Sequence, residues 1–273
     1  MRWVIGDVHG MLAPLRALVD EINQLDPRAE LLFAGDYVNR GPDSMRVIDY
    51  LLTLAHARFC RGNHDDTFDL IINKECFAAY NPANGDSLKP QTAFTWFMQH
   101  GLANTFRSYG VDYETLAKIE RRPSMAKLKS IAAAVPESHK RFIRNLEPVI
   151  EYRDVFVAHA FWPTDETDAP DLGTRLNQSA QKRHQLLWGR YAMEDLLDAK
   201  AWYRTGYFGH TPVVNYANNL GSHPHLPIVG PKIVLLDTGA ALGSNGRLTA
   251  VCCDTQAFVQ TDVDGRIIIM QEE

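Results

Sequence analysis

Five short apolar runs in this 273-residue sequence each lead into polar side chains that can bind a metal ion. The runs RWVI, ELLFA, ARFC, DVFVA and GYF are followed by six candidate donors, namely Asp7 and His9, Asp36, Asn63, His159 and His210. Mixed carboxylate and imidazole donors suit divalent ions of the Mn, Fe or Zn type, whereas Mg and Ca sites favour oxygen alone. Six donors fit two such ions if one carboxylate is shared, and Asp36 is the best candidate for that bridge.

The apolar runs have the length of β-strands, and helical patterns separate them. Apolar residues recur every three to four positions between Leu12 and Leu25, and again between Val47 and Leu52 after Pro42. The alternation of strand, loop and helix predicts an α/β (α+β) fold. In such a fold the functional crevice lies beyond the carboxyl ends of the strands, where the candidate donors fall.

Two further regions complete the predicted organisation. The pattern from about residue 67 to residue 146 is mainly helical, which we interpret as an insertion flanking the site. After Gly209 the chain is rich in short β-prone runs, including KIVLLDTG, RLTAVCCD, AFVQTD and RIIIMQ, and we expect these to form a second sheet packed on the first. No linker separates the regions, so residues 1–273 are predicted to form a single domain.

Charge and hydropathy limit the classes of partner that we expect for this protein. The formal net charge of −5 argues against a general affinity for nucleic acid, because proteins that bind it usually present a basic surface. No run approaches the roughly 20 apolar residues that span a bilayer, so no membrane partner is expected. The first residues, MRWVIGDVHG, lack the apolar stretch and cleavage site of a signal peptide, and we therefore expect a cytoplasmic protein. The oligomeric state is left open.

Five motifs lie in order along the chain: GDVHG, GDYVNRG, GNHD, VAHA and GHTP. Together they resemble the signature set of calcineurin-like metallophosphoesterases, in the bacterial form of the serine/threonine phosphoprotein phosphatase branch. The resemblance includes LLWGR and DTGAALGSNGRLTAV, and it leaves residues 67–146 unmatched. It implies a two-sheet β-sandwich flanked by helices, the metallophosphoesterase fold, with two metal ions at its edge.

The resemblance also implies a role for each matched residue. By motif position, Asp7 and His9 would hold the first metal ion and Asp36 would bridge the two ions. The second ion would be held by Asn63, His159 and His210. His64 would protonate the leaving oxygen, and Arg40 and Arg190 would bind the phosphate oxygens. The expected cofactors are two divalent ions, with Mn first and Fe or Zn as alternatives, because these ions share the same ligands.

Asn39 departs from the family pattern, in which the loop reads GDxxDRG and the second acid hydrogen-bonds the catalytic histidine. We expect the asparagine oxygen to accept the His64 N–H, without a charge that favours the imidazolium. The pKa of His64 would then be lower than an acid would make it. Leaving groups that need little protonation, such as phenolates or nucleotide phosphates, would be favoured. Alternatively, Asp65 or Asp66 supplies the missing charge.

The sequence therefore predicts a metal-dependent phosphoric monoester hydrolase that acts on phosphorylated protein or a small phosphoester. Serine/threonine phosphoprotein is the first substrate class, with tyrosine or dual specificity left open. One alternative is a dinucleoside polyphosphate hydrolase, with diadenosine tetraphosphate as its substrate. A second alternative is a phosphate-binding regulatory module without turnover, which only Asn39 favours.

Overall fold

The computed structural model describes residues 1–78, 88–164, 179–197, 202–216 and 223–268, and the structural statements below concern these residues. Short strands alternate with helices along the first part of this chain and predominate towards its end. The strands are β1 Arg2–Ile5, β2 Glu30–Phe33, β3 Ala57–Phe59, β4 Val149–Glu151, β5 Val155–Ala158, β6 Thr205–Phe208, β7 Ile228–Val229, β8 Ile233–Leu235, β9 Arg247–Cys252, β10 Phe258–Asp262 and β11 Ile267–Ile268.

The helices lie between the strands and are concentrated in the predicted insertion. Their bounds are α1 Leu12–Leu25, α2 Ser44–Leu51, α3 Asn63–Ile72, α4 Pro90–Met98, α5 Leu102–Ser108, α6 Tyr113–Arg121, α7 Met125–Ala132, α8 Glu137–Arg144 and α9 Ala180–Trp188, with a 3-10 turn at Glu194–Leu197. The apolar stripe of α1 is buried, as its spacing predicts. Proline at the first position of α4 suits a helix start, because the N–H that proline lacks has no partner there.

The strands form two mixed sheets. The first sheet has the order β11-β10-β9-β1-β2-β3 and the second has the order β4-β5-β6-β8-β7. Strands β1, β2 and β3 are parallel, and so are β5, β6 and β8. Because parallel strands end at the same edge of a sheet, each sheet gathers the residues that follow these strands along one edge.

The core follows from the alternation of side chains along each strand. In β1, Trp3 and Ile5 pack against the helices outside the first sheet, whereas Val4 packs between the two sheets with Val157 of β5. A separate apolar cluster covers the outer face of the second sheet and includes Leu186 of α9. The described residues therefore form two packed sheets with helical segments outside each, which confirms the predicted fold class.

The structure confirms most of the predicted elements. All five apolar runs that precede the candidate donors contain strands, and the segment predicted to be a helical insertion contains α4 to α8. Residues 79–87 of that segment lie outside the described residues. The assignment of one domain to the whole chain stays a prediction. No helix in the described ranges has the length and apolar character needed to cross a bilayer.

The expected grouping of the C-terminal strands is wrong. They do not form one second sheet, because β8 pairs with β6 in the second sheet, whereas β9 pairs with β1 and β9 to β11 extend the first sheet. The first sheet is thus built from both ends of the described chain, whereas the strands of the second sheet all lie between residues 149 and 235. Short β-prone runs specify strands, but they do not specify which neighbour each strand pairs with.

Candidate active site

The carboxyl ends of five strands converge on one group of buried polar side chains. The backbone N–H of His210 after β6 donates to both carboxylate oxygens of Asp7 after β1, at 3.1 Å each, which links the edges of the two sheets. Every one of the six predicted donors is at most 7% exposed. In strand order they are Asp7 and His9, Asp36, Asn63, His159 and His210.

The first part of this group contains Asp7, His9 and Asp36. The Nδ1–H of His9 donates to the carbonyl of Val38 at 3.0 Å, so Nε2 carries the lone pair. That Nε2 is buried without a hydrogen-bond partner, 3.5 Å from Asp36 Oδ2 and 3.8 Å from Asp7 Oδ2. An imidazole lone pair and two carboxylate oxygens therefore face one another, and a divalent cation between them would satisfy all three.

The second part contains Asn63, His159 and His210. The Nδ1–H of His159 donates to the carbonyl of Ala34 at 2.8 Å, and burial lowers the pKa of His159 to about 4, so the neutral ring keeps a lone pair on Nε2. This Nε2 lies 2.9 Å from Asn63 Oδ1, which is also 2.9 Å from His210 Nδ1. Two lone-pair atoms, His159 Nε2 and Asn63 Oδ1, thus face each other with no proton between them, which a cation would stabilise.

Asp36 lies between the two parts. Its Oδ2 is 3.5 Å from His159 Nε2, the same distance that separates it from His9 Nε2. Two sets of residues bring ligand atoms within 4.8 Å of one another, and Asp36 belongs to both, with His9 and His64 in one set and Asp7 and His159 in the other. The donor set therefore fits a pair of divalent ions that share a carboxylate. A metal-binding histidine typically donates its other ring N–H to an acceptor outside the metal's own ligands. The backbone carbonyls that accept from His9 and His159 are acceptors of this kind.

Burial and mutual repulsion disfavour the ionised form of the acids at this edge. Burial raises the pKa of Asp7 and of Asp36 well above the ordinary value, with nearby carboxylates adding to the effect. Asp237, which the sequence analysis missed, is among these neighbours. Its Oδ1 accepts the Gly239 N–H at 2.9 Å, and its Oδ2 is buried without a partner. Asp237 follows β8 by two residues, so the strand-end pattern could have identified it.

The site residues also carry unusual backbone conformations. Positive φ angles are uncommon outside glycine and cost on the order of 1–3 kcal/mol each in sparsely populated regions. Among the described non-glycine residues, five of the seven with positive φ belong to the predicted site, the others being Lys74 and Gln256. The five are His9 (45°), Asp36 (55°), Asn39 (72°), Arg40 (63°) and His210 (66°). The surrounding packing therefore holds these loops in place at a cost, as is typical of functional sites.

The expected orientation of Asn39 is wrong. Its side-chain nitrogen, not its oxygen, lies 2.8 Å from His64 Nδ1. The reason is Thr105 of α5, whose hydroxyl accepts the backbone N–H of Asn39 and donates to Asn39 Oδ1, both at 2.8 Å. An amide nitrogen only donates, so His64 Nδ1 accepts and the ring proton lies on Nε2. Burial, followed by His9 and Arg40, lowers the pKa of His64 well below its ordinary value.

Asp65 and Asp66 do not supply the charge that Asn39 lacks. The carboxylate of Asp65 accepts the backbone N–H groups of Asp36, Tyr37 and Gly62 at 2.7–3.0 Å. It therefore holds together the loops that follow β2 and β3.

Asp66 instead pairs with the buried Arg61 at 2.9 Å. It also accepts the backbone N–H groups of Phe77 and Ala78 at 2.7 and 3.0 Å. These contacts hold the chain after α3 and do not involve the His64 ring. His64 therefore depends on Asn39 for the contact at Nδ1.

Both predicted phosphate-binding arginines face one cavity of about 340 Å³ beside the buried donors. Arg40 Nη1 is buried without a hydrogen-bond partner, and the Arg40 carbonyl accepts from Asn104 of α5 at 2.6 Å. Arg190 Nη1 donates to Thr211 Oγ1 at 3.0 Å. The cavity is lined by Asp36, Arg40, Asn63, His64, Trp96, Phe97, His100, Trp188, Arg190 and His210. Six of the ten predicted site residues thus line this cavity. The other four, Asp7, His9, Asn39 and His159, each lie against a lining residue, namely His210, Asp36, His64 and Asn63 respectively.

Comparison with known proteins gives a family match and partial relatives. A family model described as calcineurin-like phosphoesterase matches residues 2–214. A symmetrical bis(5'-nucleosyl)-tetraphosphatase of Pseudomonas putida strain W619 is 40% identical over 65 residues, which are 23% of this chain and 22% of the relative. The enzyme of the same name from Photorhabdus laumondii is 46% identical over 65 residues, 23% of each chain. These matches span less than a quarter of the relatives' length.

Solved structures share the fold at low sequence identity. One, provisionally described as a diadenosine tetraphosphatase, superposes with a TM-score of 0.56 at 18% identity and covers 96% of this chain and 92% of that chain. A cold-active protein tyrosine phosphatase superposes with a TM-score of 0.53 at 14% identity and covers 99% of this chain and 78% of that chain. Identities this low establish a common fold and leave the substrate open.

Proposed function

Because the chain belongs to the calcineurin-like phosphoesterase family, we propose that it hydrolyses phosphate monoesters at a centre of two divalent ions. The first ion would be held by Asp7 and His9, and Asp36 would bridge to the second. Asn63, His159 and His210 would hold the second ion. Bound ions of this type supply Lewis acidity that polarises phosphoryl oxygens and makes water more acidic. Mn is proposed first, because this mixed donor set suits Mn, Fe and Zn.

One observation carries this proposal. His159 Nε2 and Asn63 Oδ1, which both carry lone pairs, lie 2.9 Å apart. His9 Nε2 and Asp36 Oδ2, which also carry lone pairs, lie 3.5 Å apart. A contact between two buried acceptors is unfavourable when no donor lies between them, because each acceptor loses its hydrogen bond to water. A cation bound at each contact would stabilise it, which gives one contact to each of the two proposed ions.

The other residues bind the substrate and hold a proton. Arg40 and Arg190 open into the same cavity as the donors, where their guanidinium groups would bind the equatorial oxygens of a phosphate. Asn39 holds His64 with its proton on Nε2, which lies 4.0 Å from Asp36 Oδ2. Because Nδ1 accepts from Asn39 and the ring is neutral, the Nε2–H of His64 would hydrogen-bond the leaving oxygen and stabilise the charge that develops there.

For the substrate we propose the phosphorylated side chain of a protein. The open cavity admits a substrate that is itself large, and the fold is shared with a protein tyrosine phosphatase. A dinucleoside polyphosphate is the second candidate, and it is favoured by the names of the relatives that match over 65 residues. Both candidates would use the same donors and arginines.

A substrate panel with Mn tests the proposal. It comprises phosphoserine and phosphotyrosine peptides of one sequence, together with diadenosine tetraphosphate. We expect turnover of the peptides, and Arg40→Ala should lower kcat/KM by about 10²–10³-fold, because one electrostatic contact to the transition state is lost. The matched control is Arg46→Ala, which removes an exposed arginine paired with Asp43 and should change nothing.

Three other results are informative. Faster cleavage of diadenosine tetraphosphate would select the second candidate. Uptake of metal without turnover of any substrate would instead indicate a regulatory module. An equal loss in Arg40→Ala and Arg46→Ala would contradict the assigned role of Arg40.

A further inference from the structure

Two tryptophans form a stacked pair at the mouth of the candidate site. Trp96 of α4 and Trp188 at the end of α9 have ring centroids 5.3 Å apart and planes 18° apart. Both line the cavity that contains Arg40 and Arg190. We infer that this pair, which we call the indole wall, binds a planar aromatic ring attached to the phosphate of the substrate. This inference rests on the proposed phosphoesterase function and adds a substrate preference to it.

The indole wall is continuous with the reaction centre. The ring centroid of Trp188 lies 6.2 Å from that of His210, and Trp188 precedes Arg190 by two residues. On the other side, His64 contacts Phe97 of α4 with ring centroids 5.0 Å apart, next in sequence to Trp96. A phosphate between the arginines would therefore carry its organic group towards the wall.

The exposure of Trp96 distinguishes it from a core residue. Three of the five tryptophans are at most 4% exposed, namely Trp3, Trp162 and Trp202, and Trp188 is half-buried, whereas Trp96 is 44% exposed. The exposed face of this indole would gain burial if a ligand covered it on binding. A flat aromatic ring suits it, because stacking on an indole is favourable for any planar ring.

Two classes of phosphate ester carry a planar ring that could stack on the wall. Phosphotyrosine and nucleotides share this chemistry of a planar ring near a phosphate. The wall therefore favours either over phosphoserine.

Binding of phosphonates tests the wall without turnover. Calorimetric Kd values would be measured with Mn for phenylphosphonate, methylphosphonate and the methylene phosphonate analogue of adenosine monophosphate, here called the adenosine phosphonate, using the natural protein, Trp96→Ala and Trp96→Phe. We expect Trp96→Ala to weaken binding of phenylphosphonate or the adenosine phosphonate by roughly 5- to 150-fold, the loss typical of one stacked ring. Methylphosphonate, which has no ring, should bind equally to all three proteins, and Trp96→Phe should recover most of the lost affinity.

Comparing the ligands distinguishes a nucleobase from a tyrosine ring, and it separates the role of the wall from the proposed hydrolysis. A larger loss of affinity for the adenosine phosphonate than for phenylphosphonate would identify a nucleobase as the preferred ring, and the reverse would identify the tyrosine ring. Tyr113→Ala, which removes an aromatic ring 63% exposed on α6, serves as the control for the loss of a surface ring. An equal change for methylphosphonate and for both ring ligands would overturn the inference. Failure of the natural protein to hydrolyse any ester would overturn the proposed function, while the phosphonate result would still decide the wall.

Discussion

Among the contacts between individual residues, the one between Asn39 and His64 has the clearest chemical consequence. Thr105 and the backbone fix the amide of Asn39 so that its nitrogen faces His64 Nδ1 at 2.8 Å. The ring is thereby held with its remaining proton on Nε2, towards Asp36. Position and proton location are preserved, but the negative charge that an acid would supply is missing. The effect of this residue should therefore fall on leaving groups that need strong protonation.

Replacing Asn39 by aspartate tests this effect. We expect Asn39→Asp to increase kcat/KM for alkyl phosphates by about tenfold, because an acid at this position favours the protonated imidazole, and general acid catalysis is typically worth 10²–10⁴-fold in total. Aryl phosphates with good leaving groups should change little. The measurement is the slope of log kcat/KM against leaving-group pKa. An unchanged slope would show that Asn39 does not limit proton supply.

At this scale the sequence predicted which residues gather and missed how some of them are oriented. The donors from Asp7 to His210 were identified because each follows an apolar run, and the structure brings them together. The orientation of Asn39 was predicted wrongly because its determinant, Thr105, lies 66 residues away in a segment that no motif covers. Asp237 was missed although it follows the end of β8 by two residues, as the identified donors follow their own strands.

In the strands and the loops that follow them, glycine leaves room for the proposed metal ligands of neighbouring strands to approach one another. A Cβ on Gly209 would lie 2.0 Å from Asp7 Oδ1, and a Cβ on Gly62 would lie 2.1 Å from Asp36 Oδ1. Side chains at these positions would occupy the space of the carboxylates. The Gly-Asn and Gly-His pairs of the motifs therefore combine a proposed ligand with the space for a proposed ligand from another strand.

Gly209→Ala should accordingly displace Asp7 and weaken metal binding. We expect at least a tenfold loss in the affinity of one of the two proposed ions, because the methyl group overlaps a carboxylate oxygen of the first pair. The measurement is titration of the metal-free protein with Mn, followed by calorimetry. The control is Gly110→Ala, which has a positive φ of 85° and nothing within 4 Å of the added methyl, so it carries only a local backbone cost. The account would be contradicted if both variants bound the metal like the natural protein.

At the scale of the whole molecule, the site depends on three parts of the chain that are distant in sequence. The first sheet carries Asp7 and Asp36, the second carries His159, and the helical insertion braces the loop between β2 and α2. The insertion does so through α5, where Asn104 donates to the Arg40 carbonyl at 2.6 Å. It also contributes Trp96 to the cavity. The insertion is therefore part of the site.

These long-range contacts mark the limit of what the sequence could predict. Periodicity predicted the helices of the insertion, because a buried stripe repeats along each one. It did not predict which surface they cover, since the docking of α5 on the Arg40 loop depends on single hydrogen bonds between segments more than 60 residues apart. The division of β8 and β9 between two sheets was missed for a similar reason, because the pairing partner of a strand lies elsewhere in the chain.

The metal content of the purified protein, measured by mass spectrometry after removal and restoration of Mn, decides whether the site holds two ions. We expect two equivalents per chain, phosphatase activity that requires both, and less than one tightly held equivalent in Asp36→Ala, because Asp36 faces both groups of donors. The exposed acid Asp154 provides the control, and Asp154→Ala should retain two equivalents. A natural protein that is active with one equivalent or none, or an Asp36→Ala variant that retains two, would rule out the proposed two-ion centre.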